Sequence, residues 1–270
     1  KKPWEGNGPM ETPWNLISAS PISFNDNFAT PKEMTLEDMA EIKAQFVQAA
    51  KNADEAGFDM IELQTHHGFL LASFLSPLTN IRTDEFGGSI ENRLKYPLAI
   101  FKAIREVFPT EKPISVRISA TDWAENGISE QEVITIATAF KNAGADVINV
   151  STGNTVAGQK PLTGRMWQTP FSDAVRNTIH IPNITTGYIQ DIDQINTIIL
   201  NGRADLVALG RPLLLDANFV RNAQAYEQFQ ANDIPNPYKM GISHLYPLKA
   251  SERKQVEGMK KALKPKSNKK

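Results

Sequence analysis

Five short apolar segments recur along the middle of the chain, each followed by a polar loop and an amphipathic stretch. Each segment is too short for a helix and nearly continuous in hydrophobicity, which is typical of parallel strands covered on both faces. The pattern therefore predicts parallel strands that alternate with helices from residue 58 to about residue 228. The predicted strands are Phe58–Leu63, Ile114–Ile118, Val147–Val150, Ile184–Thr186 and Leu206–Leu209.

The amphipathic stretches have recognisable helix starts. Each begins with Ser, Thr or Asp, the residues that cap amino-terminal N–H groups of a helix. Thr35 and Ser129 are each followed three positions later by an acidic residue, which is the spacing of a capping box. The predicted starts are Thr35, Ser89, Ser129, Thr169 and Asp191.

Strict alternation of strands and helices is compatible with an open doubly wound sheet or a closed eight-stranded barrel. No G-x-G-x-x-G sequence follows a predicted strand, which disfavours the dinucleotide-binding open sheet. We therefore predict an α/β fold, a TIM (β/α)8 barrel that is incomplete in this chain, with about five of eight strand–helix units. Because the chain begins KKPWEGNGPM without an initiator Met, we expect the other units to precede Lys1, or another element to shield the open edge.

Composition narrows the classes of function. The 270 residues carry a formal net charge of −1, which gives no reason to expect nucleic acid or an anionic membrane as a partner. The absence of cysteine excludes disulfides, thiolate metal sites and cysteine nucleophiles, and it is compatible with the cytoplasmic location that we predict. No apolar run has the length that a bilayer span requires.

The first predicted strand leads into a polar loop that contains Gln64, His66 and His67. Barrel active sites lie at the carboxyl ends of strands, so these side chains are candidates for binding an oxyanion on a substrate carbonyl. The alternative is that one histidine donates to a loop carbonyl as a structural clamp, and the sequence leaves both interpretations open. Adjacent histidines without Asp or Glu at ligand spacing predict no metal site.

Two further features indicate anion binding. Arg117 lies within the second predicted strand, where its charge requires either an anion or an internal ion pair, for which Asp122 is a candidate. The last two strands end in TTGYI and ALGRPLL, where Gly187 and Gly210 would let backbone N–H groups approach a phosphate. Arg211 adds a bidentate donor beside the second glycine.

These segments, in this order, resemble the old yellow enzyme family of FMN-dependent ene-reductases. The stretch GFDMIELQTHHGFLLASFLSPLTNIRTDEFGGSIENR is similar to the loop after that family's fourth strand, and PISVRIS and NGRADLVALGR are similar to later segments. The resemblance covers roughly residues 21–229. It implies a barrel that holds FMN at its carboxyl face, with NADH or NADPH as the reductant.

The resemblance also implies roles for individual residues. Arg117 matches the arginine beside flavin N1, where its charge would stabilise reduced, anionic flavin. Gln64 and His67 match the pair that binds the substrate oxygen, although Gln64 replaces the usual histidine. Phe69 replaces the tyrosine that protonates the substrate, and it has no hydroxyl group to donate. The residues that match the phosphate-binding turns are Gly187, Tyr188, Gly210 and Arg211.

We predict an extended surface segment over residues 1–34, a partial TIM-barrel FMN-binding domain over residues 35–230, and a carboxyl-terminal extension with a basic tail over residues 231–270. An amphipathic helix is expected near Glu252 to Leu263, where packing on a neighbouring subunit would produce a homo-oligomer. The segments LISASPISF and TGRMWQTPFSDAVRN are most similar to the reductase part of salicylyl-CoA hydroxylase and anthraniloyl-CoA monooxygenase proteins. This similarity favours an aromatic acyl-CoA over a simple enone.

The predicted function is an NAD(P)H:flavin oxidoreductase that passes hydride to a small molecule, either an electron-poor alkene or an aromatic acyl-CoA. One alternative is another phosphate-binding barrel enzyme, such as an aldolase or isomerase. That enzyme would require a Schiff-base lysine or a carboxylate at a strand end, and the predicted strands contain no lysine. The other alternative is a non-catalytic or degenerate fragment, in which Gln64 and Phe69 reflect a loss of activity.

Overall fold

The structure is a computed structural model that describes residues 15–26, 28–229 and 234–262. The chain divides into two compact units, Lys1–Ala208 and Leu209–Lys270. The predicted domain limits at residues 34 and 230 stay predictions, and the basic tail lies outside the described residues. No helix among the described residues is both long and apolar enough to cross a membrane.

The first unit is built on a five-stranded sheet in which all strands are parallel and neighbours follow the order of the chain. A doubly wound sheet reverses its strand order at a switch point, whereas a barrel keeps consecutive strands adjacent. The observed order is therefore that of a barrel wall, and its two edges are the first and last strands. The strands are β3 (Ile61–Thr65), β4 (Ile114–Ser119), β5 (Val147–Ser151), β6 (Asn183–Thr185) and β7 (Leu206–Val207), preceded by the separate pair β1 (Ile17–Ser18) and β2 (Lys32–Glu33).

Helices lie between the strands and begin largely where the sequence predicts. The capping boxes at Thr35 and Ser129 are formed, and Ser89 and Asp191 each accept a backbone N–H with their side chains. The sequence predicts Thr169 as the capping residue before a helix, but it is the first residue of the helix. The residue in the cap position is Gln168, whose side chain makes no capping hydrogen bond. The helices of the first unit are α1 (Leu36–Glu55), α2 (Leu70–Leu75), α3 (Ile90–Val107), α4 (Glu130–Asn142), α5 (Thr169–Ile179) and α6 (Ile192–Leu200).

The two faces of the sheet differ in polarity. One face carries fully buried apolar side chains, such as Val116, Ile118 and Ile148, in a core shared with Phe101 of α3 and Phe140 of α4. The other face carries polar and charged side chains at the alternate positions of β3, β4 and β5. The prediction of strands that are nearly continuous in hydrophobicity is therefore wrong for β3, β4 and β5, which are apolar on one face and polar on the other.

The segment before α1 contributes to this core. Ala19 and Met34 are buried, and their carbonyl groups accept hydrogen bonds of 3.1 and 2.9 Å from the Arg82 guanidinium. The Ala19 N–H donates to the Ser73 hydroxyl at 3.0 Å. The described part of this segment is thus held by Ser73 of α2 and by the loop between α2 and α3, in which Arg82 also pairs with Asp84.

The second unit is helical. Its helices are α7 (Arg211–Leu215), α8 (Phe219–Tyr226) and α9 (Lys239–Ala262), with a short 3-10 helix at Asn236–Tyr238. Arg253 of α9 pairs with Glu227 at the end of α8, at 3.2 Å. The helix predicted near the carboxyl end is confirmed as part of α9, and its packing on a neighbouring subunit stays a prediction.

Candidate active site

The candidate site lies where β3, β4 and β5 end on the polar face of the sheet. Gln64, Arg117 and Asn149 occupy the same level of three adjacent strands, since Arg117 pairs in register with both of the others. Residues in register on a parallel sheet point to the same face. The structure therefore brings together Gln64 and Arg117, which the sequence predicts in separate motifs.

Within the described residues, Arg117 has no internal counter-ion of the kind that the sequence left open. Asp122 is fully buried, but its Oδ2 accepts from the Ser76 hydroxyl at 2.7 Å and from the Ile128 N–H at 2.9 Å. The Nε of Arg117 is buried and has no hydrogen-bond partner among the described residues. A buried donor of this kind is costly unless an acceptor meets it, so Arg117 is the strongest indication of an anionic or carbonyl-bearing ligand.

Two neutral histidines lie beside this guanidinium. The rings of His66 and His67 are 4.0 Å apart between centroids. Burial lowers the pKa of His66 to about 3, with further lowering by His67 and Arg117. Burial also lowers the pKa of His67 to about 4, with further lowering by Arg117 against a hydrogen bond to the Thr152 backbone. Both imidazoles are therefore neutral at pH 7, when each can donate one N–H and accept at the other nitrogen.

The position of His67 is fixed by two serines on neighbouring strands. Its backbone N–H donates to the Ser119 hydroxyl at 3.0 Å, and its Nε2 lies 2.7 Å from Ser151 Oγ. Its φ of 55° places it in the left-handed region, which is unusual for a residue other than glycine. His66, in contrast, has a buried Nδ1 without a partner among the described residues. Of the two histidines, His67 is the one held in place by side chains.

Gln64 and Phe69 are both exposed to solvent. Phe69 is 46% exposed, and its ring centroid lies 6.1 Å from that of His66. The resemblance implies a proton-donating tyrosine at this position. Phe69 has no hydroxyl, so this position cannot supply a proton. Gln64 carries an amide that can donate a hydrogen bond from its place beside Arg117.

Gly187 and Tyr188 form a tight turn directly after β6. Both have positive φ values, 98° and 56°, and the Tyr188 carbonyl accepts from the Met166 N–H at 3.3 Å. A Cβ atom on Gly187 would lie 2.7 Å from the Gln168 side chain, so only glycine fits there without a shift. The turn after β6 is therefore left-handed at two successive residues, and its part in phosphate binding stays a prediction.

Gly210 and Arg211 belong to the second unit. Gly210 immediately precedes α7, and its carbonyl accepts from the N–H groups of Leu213 at 3.0 Å and Leu214 at 3.3 Å. Its φ of −116° is available to any residue, so no left-handed turn is formed here, in contrast to Gly187. Their part in phosphate binding stays a prediction.

A polar network on the same face was missed from the sequence. The Glu62 carboxylate accepts from the Ser115 hydroxyl at 2.9 Å and from the Asn149 amide at 2.8 Å. Glu62 and Ser115 lie one alternation before Gln64 and Arg117 on their strands. The alternation of polar residues within IELQ and ISVRIS was the signal that could have revealed this layer. No cluster of three or more His, Asp or Glu side chains suited to a metal occurs in the described part of the chain.

Curated relatives are similar to this chain over most of its length. An NADPH dehydrogenase of Clostridium acetobutylicum is 41% identical over 228 residues, which are 84% of this chain and 66% of that protein. An NADPH dehydrogenase of Listeria welshimeri is 40% identical over 211 residues, which are 78% of this chain and 62% of that protein. The chain thus spans somewhat less than two thirds of the length of these relatives.

Solved structures share the fold. A 2-naphthoyl-CoA reductase in complex with 2-naphthoyl-CoA superposes with a TM-score of 0.72 at 27% identity, over 77% of this chain and 33% of that one. Morphinone reductase superposes with a TM-score of 0.66 at 23% identity, over 84% of this chain and 63% of that one. These structures confirm the predicted fold class, a TIM-type α/β barrel that is incomplete in this chain.

The family model described as the NADH:flavin oxidoreductase / NADH oxidase family matches residues 5–229. The match covers well over half of the chain and includes every residue of the candidate site. Because the chain spans less than two thirds of the length of its curated relatives, its oxidoreductase activity and its FMN cofactor stay proposals. The match itself confirms the family predicted from the sequence. The chain therefore belongs to the NADH:flavin oxidoreductase / NADH oxidase family.

Proposed function

We propose that the protein takes hydride from NADH or NADPH by way of FMN and reduces an electron-poor alkene or an aromatic acyl-CoA. The observation that carries this proposal is the half-buried Arg117, whose buried Nε has no protein partner among the described residues. It lies on the polar face of a barrel wall, in register with Gln64 and near two neutral histidines. This arrangement suits a flat, electron-accepting ring with carbonyl and imide groups.

The residues present fit FMN. Arg117 would bind the flavin ring and favour negative charge there, and the left-handed turn at Gly187 and Tyr188 would bind the phosphate through backbone N–H groups. Gly210 and Arg211 are proposed as further phosphate ligands. FMN, when bound, supplies hydride transfer between the nicotinamide and the substrate.

The side chains of the first loop would act on the substrate. Gln64 and the neutral His67 are proposed to donate hydrogen bonds to a substrate carbonyl oxygen and so to polarise the conjugated double bond. Phe69 cannot donate a proton, so the proton that completes the reduction would come from water or from another residue. The support for these roles is their position at the end of β3, beside Arg117.

The substrate is proposed to be an aromatic acyl-CoA in preference to a simple enone. Two observations support this choice: the resemblance of the segment that starts at Thr163, and the 27% identity to a protein described as a 2-naphthoyl-CoA reductase. We further propose a cytoplasmic location, which the absence of cysteine favours.

Titration of the chain with FMN, followed by flavin fluorescence and absorbance, tests the proposal. Replacing Arg117 by Met should weaken binding by about 10- to 100-fold, because a charge-assisted hydrogen bond contributes about 1.5–3 kcal/mol. Arg117→Lys should lose less, since the charge remains. The exposed Arg165→Met is the matched control and should bind FMN as the parent chain does. Equal binding by Arg117→Met and the parent would contradict the proposal.

We also expect the 270-residue chain by itself to bind FMN weakly, because β3 and β7 leave the sheet open at both edges. A purified chain that is yellow and monomeric would refute this expectation. The second candidate, a non-catalytic fragment, is favoured by Phe69 and by these open edges. It predicts no flavin absorbance even after the barrel is completed by further strands, which distinguishes it from the enzyme.

A further inference from the structure

A buried glutamine joins the ends of two strands at the candidate site. Gln168 is 5% exposed, and its Nε2 donates to the Thr152 hydroxyl at 3.0 Å, directly after β5. Its Oε1 accepts from the Thr186 hydroxyl at 3.0 Å, directly after β6. The amide nitrogen of Gln168 therefore bonds to the residue after β5, and its amide oxygen bonds to the residue after β6.

The same side chain packs against the turn proposed to bind phosphate. A Cβ atom on Gly187 would lie 2.7 Å from Gln168 Cγ and 2.9 Å from its Oε1. Gln168 thus occupies the space beside Gly187 and holds the preceding Thr186. The turn takes its left-handed conformation against this side chain, so movement of Gln168 would move the turn.

The other end of the amide leads to His67. Thr152, which accepts from Gln168, is 1% exposed. The residue before it, Ser151, lies 2.7 Å from His67 Nε2. Thr152 therefore contacts Gln168 with its side chain, and the adjacent Ser151 contacts the His67 ring, which makes a continuous polar path from the turn to the imidazole.

We propose that Gln168 is a positioning residue that couples the Gly187 turn to His67, so that the conformation of the turn sets the orientation and tautomer of the imidazole. That the turn binds phosphate and that His67 binds a substrate oxygen both rest on the proposed function. The coupling itself rests only on the contacts. Removing the amide takes this partner from the buried Thr152 hydroxyl and from the half-buried Thr186 hydroxyl. For a buried hydroxyl such as that of Thr152 the loss costs about 1–3 kcal/mol unless the group moves.

The test uses the ring ¹⁵N signals of the chain without any ligand, which report the tautomer of each histidine. The chain contains four histidines, so His67 is assigned by one substitution. Gln168→Met keeps the length of the side chain against Gly187 and removes both hydrogen bonds. We expect it to shift the His67 ring signals. Thr152→Val should shift them in the same way, and Thr152→Ser, which restores the hydroxyl, should return them to the parent values.

Gln194→Met is the matched control, because Gln194 is also a buried glutamine, but its Oε1 accepts from the Gln190 N–H four residues earlier. His67 signals that stay at the parent values in Gln168→Met, or that move equally in Gln194→Met, would overturn the coupling. If Gln168→Met fails to fold, the comparison of Thr152→Val with Thr152→Ser decides by the same criterion. Failure of FMN to bind after the barrel is completed by further strands would count against the proposed function and leave this result standing.

Discussion

The two histidines at the end of β3 should make the folded chain lose stability as the pH falls from 7 to 5. Their pKa values are about 3 for His66 and about 4 for His67 in the folded chain, against an ordinary value of 6.5. Between these values the unfolded chain binds protons that the folded chain does not bind. Unfolding is therefore favoured as the pH falls, and the loss begins near pH 6.5.

The size of the effect follows from proton linkage. At pH 5 an imidazole of pKa 6.5 in the unfolded chain is almost fully protonated, and the buried imidazole is almost fully neutral. Integration from pH 7 to pH 5 gives a loss of about 2 kcal/mol for each histidine, or about 4 kcal/mol for the pair. Carboxylates contribute little in this range, because most of them titrate below pH 5.

Urea unfolding at pH 7 and pH 5 measures this loss, and NMR titration of the histidine ring signals measures the two pKa values directly. His66→Phe keeps a ring beside Phe69 and removes one titrating group, so we expect it to reduce the difference between pH 7 and pH 5 by about 2 kcal/mol. His180→Asn removes an exposed histidine at the end of α5 and is the control, because Asn also tolerates the left-handed φ of 53°.

Midpoints near pH 6.5 for both rings would refute the reasoning. Such a result would mean that neither burial nor the charge of Arg117 acts on these rings, and that the loop after β3 is open to water. An unchanged pH dependence in His66→Phe, with the expected NMR midpoints, would instead assign the loss of stability to other groups.

Three further predictions concern stability and proton supply. Gly187→Ala should lower the free energy of unfolding, measured in urea, by about 1–3 kcal/mol, because the left-handed backbone is strained for alanine and the new Cβ atom would crowd Gln168. Gly88→Ala should lower it by less, because Gly88 also has a positive φ of 80° but a Cβ atom there would have no atom within 4 Å. Arg93→Met should lower it by about 3–5 kcal/mol, because Glu132 is left without its buried partner, and the double variant with Glu132→Met should recover part of this loss. Phe69→Tyr should speed reoxidation of the flavin by substrate in stopped-flow experiments, and an unchanged rate would argue against proton supply at this position.

The order of elements could be predicted from the sequence because it depends on local chemistry. Capping at Thr35, Ser89, Ser129 and Asp191 depends on side chains that reach backbone N–H groups within three residues. The start at Thr169 was wrong because hydrogen bonds from the preceding turn, and not a cap, begin that helix: the Thr169 N–H already donates to the Met166 carbonyl at 2.9 Å.

The individual residues of the candidate site could be predicted at each strand end, but the contacts between residues of different strands could not. Gln64, His67 and Arg117 each stand out in their own motif, because polar residues at the end of an apolar strand indicate a site. The contact of His67 with Ser151 spans 84 positions, and no local pattern encodes it. The bridging role of Gln168 was hidden for the same reason, since both of its partners lie on other strand ends.

The polar face also explains why the described part of the chain offers Arg117 no counter-ion. Glu62 lies on the same face, diagonally across from Arg117, at a spacing of roughly 7–8 Å between backbones. Its Oε2, however, already accepts from the Ser115 hydroxyl and the Asn149 amide. The face is therefore negative one alternation below the strand ends and positive at the ends themselves. A ligand that places negative charge at the carboxyl edge of the sheet is stabilised by Arg117, whereas a cation there would be repelled.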